Sequence, residues 1–207
     1  MQKILHLKST YKDNDDSFIT SSSNIQAYNA VNNLKNNRIL VIGSPKSGKT
    51  LLAKLWKKDA GAIFFKNITD LNYNERIIVD NIENFHDDIL INIINFSQEN
   101  SLSLLLTCSK YPNFNLKDLN SRMKSTYKVW LKEPDEKMVK LLIAKFFKQR
   151  QVLISQEIIH FMYQMIERKY SSINTIVNTI DKQSIIKKRK ITLQFVQEIL
   201  HTLYIKN

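Results

Sequence analysis

The sequence predicts an α/β chain in which a phosphate-binding core on a parallel five-stranded sheet is followed by a small all-helical domain. Three observations carry that expectation. First, Gly43-Ser44-Pro45-Lys46-Ser47-Gly48-Lys49-Thr50 fits the pattern G-x-x-x-x-G-K-[ST] directly behind the apolar run Ile39-Leu40-Val41-Ile42. Second, short apolar runs alternate with helical periodicity from there to about residue 132, the mark of a parallel sheet. Third, beyond Glu133 the periodicity turns wholly helical.

Each element has its own reason. Residues 1–23 are polar and weakly periodic, so they read as a flexible N-terminal segment ending in Ser21-Ser22-Ser23. Ile25 to Leu34 reads as a short helix and Ile39 to Ile42 as the first strand. Leu51, Leu52, Leu55 and Trp56 give a helix its spacing, and Ala62 to Phe65, Arg76 to Asp80, Ser103 to Thr107 and Val129 to Leu131 give the other strands. Asp88 to Ser97 fills the gap between the third and fourth strands as a helix. Glu133-Pro134-Asp135-Glu136 reads as a helix start with proline inside the first turn, which places a boundary between a core, 24–132, and a helical domain, 133–207. There, Met138, Leu141, Leu142 and Phe146 open a series of amphipathic stripes that ends with Phe195, Val196, Ile199, Leu200 and Leu203. Such stripes are core residues of a small bundle.

Composition bounds the rest. At 207 residues and 24.3 kDa the chain is long enough for an α/β core plus a small second domain. One cysteine, Cys108, excludes an internal disulfide, the four histidines are scattered, and no Cys/His spacing suits zinc. No stretch has the length of a membrane span or the form of a signal peptide, so a soluble cytoplasmic protein is expected. The formal charge of +12 invites a nucleic-acid reading, but the densest run, Lys187-Lys188-Arg189-Lys190, is four residues long and lacks interleaved aromatics. That run equally suits a helix C-terminus, where cations face the dipole.

The candidate site follows from the loop. Gly43, Ser44, Pro45, Lys46, Ser47, Gly48, Lys49, Thr50 and the next residue, Leu51, would cradle phosphates with backbone N–H groups at a helix N-terminus. Lys49 would reach the outer phosphates, and Thr50 would ligate Mg2+ together with Asp80, which ends the run Ile77-Ile78-Val79. Asn81 stands where a hydrolysing enzyme carries a second acid, and an amide cannot act as a base, so slow or absent intrinsic hydrolysis is expected. Thr107 and Ser109, after the fourth strand, are candidates for a polar sensor of the terminal phosphate or for plain turn formers. Arg122, near the end of the core, is either an arginine that projects across a subunit boundary or an exposed surface residue.

With these residues in view, the chain resembles the AAA+ proteins of the DnaA group, and within it the short regulators of the Hda type. The resemblance runs from about Phe18 to Leu203. It is carried by Phe18 to Asn24, the Gly43 to Thr50 loop, Val79-Asp80-Asn81-Ile82-Glu83 and Leu106-Thr107-Cys108-Ser109-Lys110-Tyr111-Pro112. Further on it includes Asp118-Leu119-Asn120-Ser121-Arg122, Glu133-Pro134-Asp135, Arg189-Lys190-Ile191-Thr192 and Val196-Gln197-Glu198-Ile199-Leu200. The helix-turn-helix DNA-binding domain that follows the lid in the initiator is not expected here.

The resemblance implies an AAA+ core with a helical lid, holding ADP or ATP with Mg2+. It implies a regulator that associates with the DNA-loaded sliding clamp, the beta subunit of DNA polymerase III, and drives ATP hydrolysis by the DnaA initiator. Arg122 then becomes a finger acting in trans. Contact with DNA would be indirect, through the clamp, with no membrane partner and with room for a homo-oligomer. The clamp-binding peptide of such regulators is matched in part by Gln2, Leu5 and Leu7, while Lys3 and His6 depart from it. In the lid, Asn174 stands where the family commonly has an arginine, with Arg168 as a substitute, and Ser109 replaces an aspartate of the initiator. Two rivals remain at this level: a DNA-binding loader or initiator fragment that uses the basic surface, and an independent P-loop ATPase or kinase.

Overall fold

The computed structural model describes residues 18–35, 37–67, 71 and 73–205. Within them five parallel strands, β1 (Arg38–Gly43), β2 (Ile63–Phe64), β3 (Ile77–Val79), β4 (Leu104–Cys108) and β5 (Tyr127–Leu131), form one sheet in the order β2-β3-β4-β1-β5. The chain thus leaves β1 for the far edge, returns inward through β3 and β4, and crosses β1 to reach β5. That crossing makes the carboxyl end of β1 the point where such sheets bind ligands.

Helices cover both faces because the strands are apolar on both sides. Ile39 and Val41 of β1 pack with α1 (Ile25–Asn32) and α2 (Lys49–Ala60), through Ala27, Val31, Leu52, Ala53 and Trp56. Leu40 and Ile42 point the other way, to α3 (Asp87–Glu99) and α4 (Lys117–Ser125), through Leu90, Ile93, Ile94, Leu119 and Met123. Burial on this scale contributes roughly 1.5–3 kcal/mol per large apolar side chain before chain entropy is subtracted. The expected boundaries move by one to three residues at element ends, where hydrogen bonding and not periodicity decides.

Four helices, α5 (Glu136–Lys148), α6 (Gln156–Met165), α7 (Tyr170–Ile186) and α8 (Leu193–Ile205), enclose a separate core that includes Phe147, Met162, Ile173, Val177 and Phe195. The proline of the expected first turn lies one step earlier than anticipated. Asp135 is the N-cap of α5, its Oδ1 accepting from the Met138 N–H at 2.8 Å, so Pro134 precedes the helix instead of opening it. The carboxylate sets the boundary by satisfying the Met138 N–H, a first-turn donor with no intrahelical partner.

Residues 18–23, anticipated as the end of a loose tail, are tied to both domains. Ser22 Oγ donates to Asp135 Oδ2 at 2.6 Å, the Lys132 N–H donates to the Ser23 carbonyl at 3.0 Å, and Ile19 packs on the helical core. Burial pushes the Asp135 carboxyl up, but hydrogen bonds from Ser22, the Met138 N–H, Ser21 and the Ser23 N–H outweigh it and hold the group below its ordinary value of 3.8. A depressed folded-state value means the contribution is complete above pH 3.8 and fades as the carboxyl protonates below it. Asp135→Ala is expected to cost about 1 kcal/mol of stability at neutral pH. Urea unfolding checks this, together with loss of the acid-limb difference between variant and wild type.

Candidate nucleotide phosphate site

The loop from Gly43 to Thr50 joins β1 to α2 as anticipated. Gly48 is the N-cap of α2 in the left-handed region (φ 96°), and no side chain caps the helix, so its first N–H groups face outward. Gly43 is required sterically: a Cβ there would stand 2.7 Å from Ser47 Oγ and 2.9 Å from Leu131 Cβ. Gly43→Ala is therefore expected to destabilise the chain by about 1–3 kcal/mol, the usual cost of overpacking, read as a lower urea midpoint.

Around the loop, Pro45, Lys46, Gly48, Lys49, Thr50, Leu51, Asn81 and Ser109 line a cavity of about 330 Å3. Lys49 is 6% exposed, and its Nζ donates to the carbonyls of Gly43 at 2.8 Å and Ser44 at 3.1 Å. Burial lowers the Lys49 pKa, with the charges of Glu83 and Asp80 working in the opposite direction. The hydroxyls of Ser44 and Ser47 are buried without a hydrogen-bond partner. A buried cation, an uncapped helix N-terminus and two idle hydroxyls around one loop suit an anionic ligand, which supplies the acceptors that all of them need.

The acids meet the loop from β3. Thr50 Oγ1 donates to Asp80 Oδ2 at 2.7 Å, and Thr107 Oγ1 donates to Asp80 Oδ1 at 2.5 Å. Thr107 in turn accepts from the Asn81 N–H at 2.9 Å, with Asn81 in the left-handed region at φ 57°. Thr107 lies inside β4, as the expected strand Ser103 to Thr107 has it, and orients Asp80. Ser109 lines the cavity, and its N–H donates to Glu83 Oε1 at 2.8 Å. Beneath them Cys108 is buried and its thiol is pushed up to about 12, chiefly by desolvation, so it stays protonated.

Arg122 stands elsewhere. It lies within α4, where its Nε pairs with Asp118 at 3.1 Å and its guanidinium donates to Gln98 Oε1 at 3.1 Å. The Arg122 carbonyl accepts from Arg38 at 3.0 Å, and Arg38 Nε donates to Thr126 Oγ1 at 2.7 Å. Burial first, then the nearby Arg122 charge, works against the charge on Arg38. These bonds fix α4 to the start of β1, whereas the loop leaves from its end. At about 3.3 Å per residue, the six-residue strand separates the two by roughly 16 Å. Arg122 therefore sits at the opposite end of the strands from its own chain's cavity.

The remaining expected residues divide. Arg168 rests its guanidinium on the Tyr163 ring at 5.2 Å, within the helical domain. Asn174 is half-buried on α7, and neither it nor Arg168 is among the described lining of the cavity. Gln2, Leu5 and Leu7 lie outside the described residues. The Lys187 to Lys190 run begins at the C-cap of α7, past its last turn, and Glu198 on α8 takes up Lys187 at 2.5 Å and Arg189 at 2.7 Å. Sequence reasoning missed Phe18, which stands over Gly48 and stacks on Tyr28 at 5.7 Å, and it gave Glu83 no role. An acid two positions past Asn81 was the available signal for the latter.

Comparisons with known proteins agree with this geometry. Residues 135–200 match the family model "Hda, lid domain". Domain III of the DnaA replication initiation protein from Thermotoga maritima superposes with a TM-score of 0.69 at 15% identity, covering 89% of this chain and 94% of that one. A replication initiator DnaA bound to AMPPCP and single-stranded DNA gives 0.63 at 18% identity, covering 83% of this chain and 66% of that chain, so this chain spans just under two thirds of that initiator. The P216G mutant of Thermotoga maritima RuvB gives 0.68 at 15% identity, covering 93% and 73%. The chain thus carries a match to the Hda lid domain over residues 135–200, behind a core with the fold of DnaA domain III.

Proposed function

We propose that this chain is a nucleotide-binding regulator of replication initiation that stimulates ATP hydrolysis by a DnaA initiator through Arg122 while associated with the DNA-loaded sliding clamp. ADP or ATP sits in the loop, with Lys49 on the outer phosphates and Thr50 and Asp80 holding Mg2+. Turnover by the chain itself is slow or absent, because Asn81 supplies no base and Thr107 commits its hydroxyl to Asp80. Gln2, Leu5 and Leu7 contact the clamp, which brings the regulator to DNA without direct reading of it.

The observation that carries the proposal is the separation of the cavity from Arg122 across one sheet. An arginine at the opposite end of β1 cannot serve its own chain's phosphates, which supports a role toward those of a neighbour. Support also comes from the Hda lid domain and from a DnaA relative that bound AMPPCP. The test is initiator ATP hydrolysis with this chain and clamp on DNA, comparing wild type with Arg122→Ala. Equal rates would remove the proposal.

A second reading, direct DNA binding through the basic surface, is favoured by the +12 charge and by the relative bound to single-stranded DNA. It is weakened by Glu198, which already engages Lys187 and Arg189. Direct binding requires an affinity that falls steeply with salt.

A further inference from the structure

Arg38 occupies a place that nucleotide binding does not explain. α4 ends at Ser125, and the chain passes straight into extended backbone at Thr126 (φ −68°, ψ 134°), with no glycine and no left-handed residue to close the helix. The last carbonyls of α4 therefore need partners from elsewhere. The Arg122 carbonyl finds them in side chains: Ser125 Oγ donates at 2.9 Å, Thr126 Oγ1 at 2.8 Å and Arg38 Nη2 at 3.0 Å. Arg38 Nε also donates to Thr126 Oγ1 at 2.7 Å, so one planar fork spans a buried hydroxyl and the backbone of Arg122. The choice of residue is informative. A neutral donor would close α4 as well, without setting a half-buried cation beside the Arg122 guanidinium. That neighbouring charge repels Arg122 away from the start of β1, toward the surface where Asp118 and Gln98 hold it.

Resting on the reading of Arg122 as a finger acting in trans, we propose that Arg38 is its positioning residue: the fork fixes the last turn of α4, and the like charge behind Arg122 keeps its guanidinium turned outward to a neighbour's phosphates. The base of so long a side chain must be held firmly, because a misplacement of about 1 Å can cost about 100-fold in rate. Arg38 itself touches no phosphate in this scheme and acts only through Arg122.

The experiment measures initiator ATP hydrolysis against the concentration of the full chain, with clamp on DNA, for wild type, Arg38→Met, Thr126→Val and Arg122→Ala. Arg38→Met keeps the apolar stem and removes the fork and the charge, whereas Thr126→Val removes only the hydroxyl that the fork meets. Arg38→Met is expected to lower the maximal stimulated rate about tenfold to 100-fold, and Thr126→Val to lower it less. Both should keep the wild-type concentration for half-maximal stimulation and the wild-type rise in thermal midpoint on adding ADP, two readouts that general loosening of the fold would move. A wild-type maximal rate in Arg38→Met while Arg122→Ala has lost stimulation overturns this inference alone, as does a loss accompanied by weaker half-maximal stimulation. A wild-type rate in Arg122→Ala overturns the finger reading and this inference together. If urea unfolding shows that Arg38→Met does not fold, Thr126→Val decides by the same criteria.

Discussion

Replacing Arg122 with alanine is expected to lower the stimulated rate of initiator ATP hydrolysis by about 10³-fold or more, the range an arginine finger contributes to phosphoryl transfer. The loss is specific because the side chain has little structural work. Its pairs with Asp118 and Gln98 are surface contacts, and the i,i+4 ion pair is worth only about 0.3–0.5 kcal/mol. Releasing them to reach a neighbour's phosphates is correspondingly cheap, and folding should survive the substitution. Arg122→Lys should recover little, since a point charge lacks the planar fork that meets two phosphate oxygens at once. Clamp binding should be unchanged in both variants. If the alanine variant stimulated the initiator as wild type does, the surface-residue reading of Arg122 would be correct.

Lys49→Ala is the second large effect, with nucleotide affinity expected to fall about 100-fold. Nζ is buried at the centre of the loop and makes two charge-assisted hydrogen bonds to carbonyls that an incoming phosphate would displace. Hydrogen bonds to a charged group are worth about 1.5–3 kcal/mol each, so losing one or two matches a change of that order. Thermal unfolding gives an independent readout. Ligand at 100 times its dissociation constant stabilises by about 2.7 kcal/mol, so ADP should raise the wild-type midpoint and leave that of the variant nearly unmoved. An equal rise in both would mean that the nucleotide sits away from the loop.

Much of this architecture was legible because each element carried a local signal. The loop announces itself through two of the chain's three glycines, and the structure supplies the reasons: Gly43 has no room for a side chain and Gly48 takes a left-handed turn. The strands are legible as short apolar runs, since a parallel sheet is buried on both faces. Long-range facts were not legible. Nothing local in Ser22 or Ser23 shows that they clasp the start of the lid more than a hundred residues later, Asp135 lying 113 positions after Ser22. The same holds for Glu83, whose position depends on an unusual backbone angle at Asn81 and on a donor from another strand. Arg122 was legible as a candidate by position, but its place at the opposite end of the strands from the loop required the contact of α4 with Arg38 at the start of β1.

The proposed function requires a phosphate cradle at the carboxyl end of β1 that takes up nucleotide and scarcely turns it over. Calorimetric titration of the purified chain with ADP and Mg2+ tests that most directly. Saturable binding at one site per chain, weakened about 100-fold by Lys49→Ala, is the predicted result. No binding of ADP or ATP at any accessible concentration would contradict the account at its base.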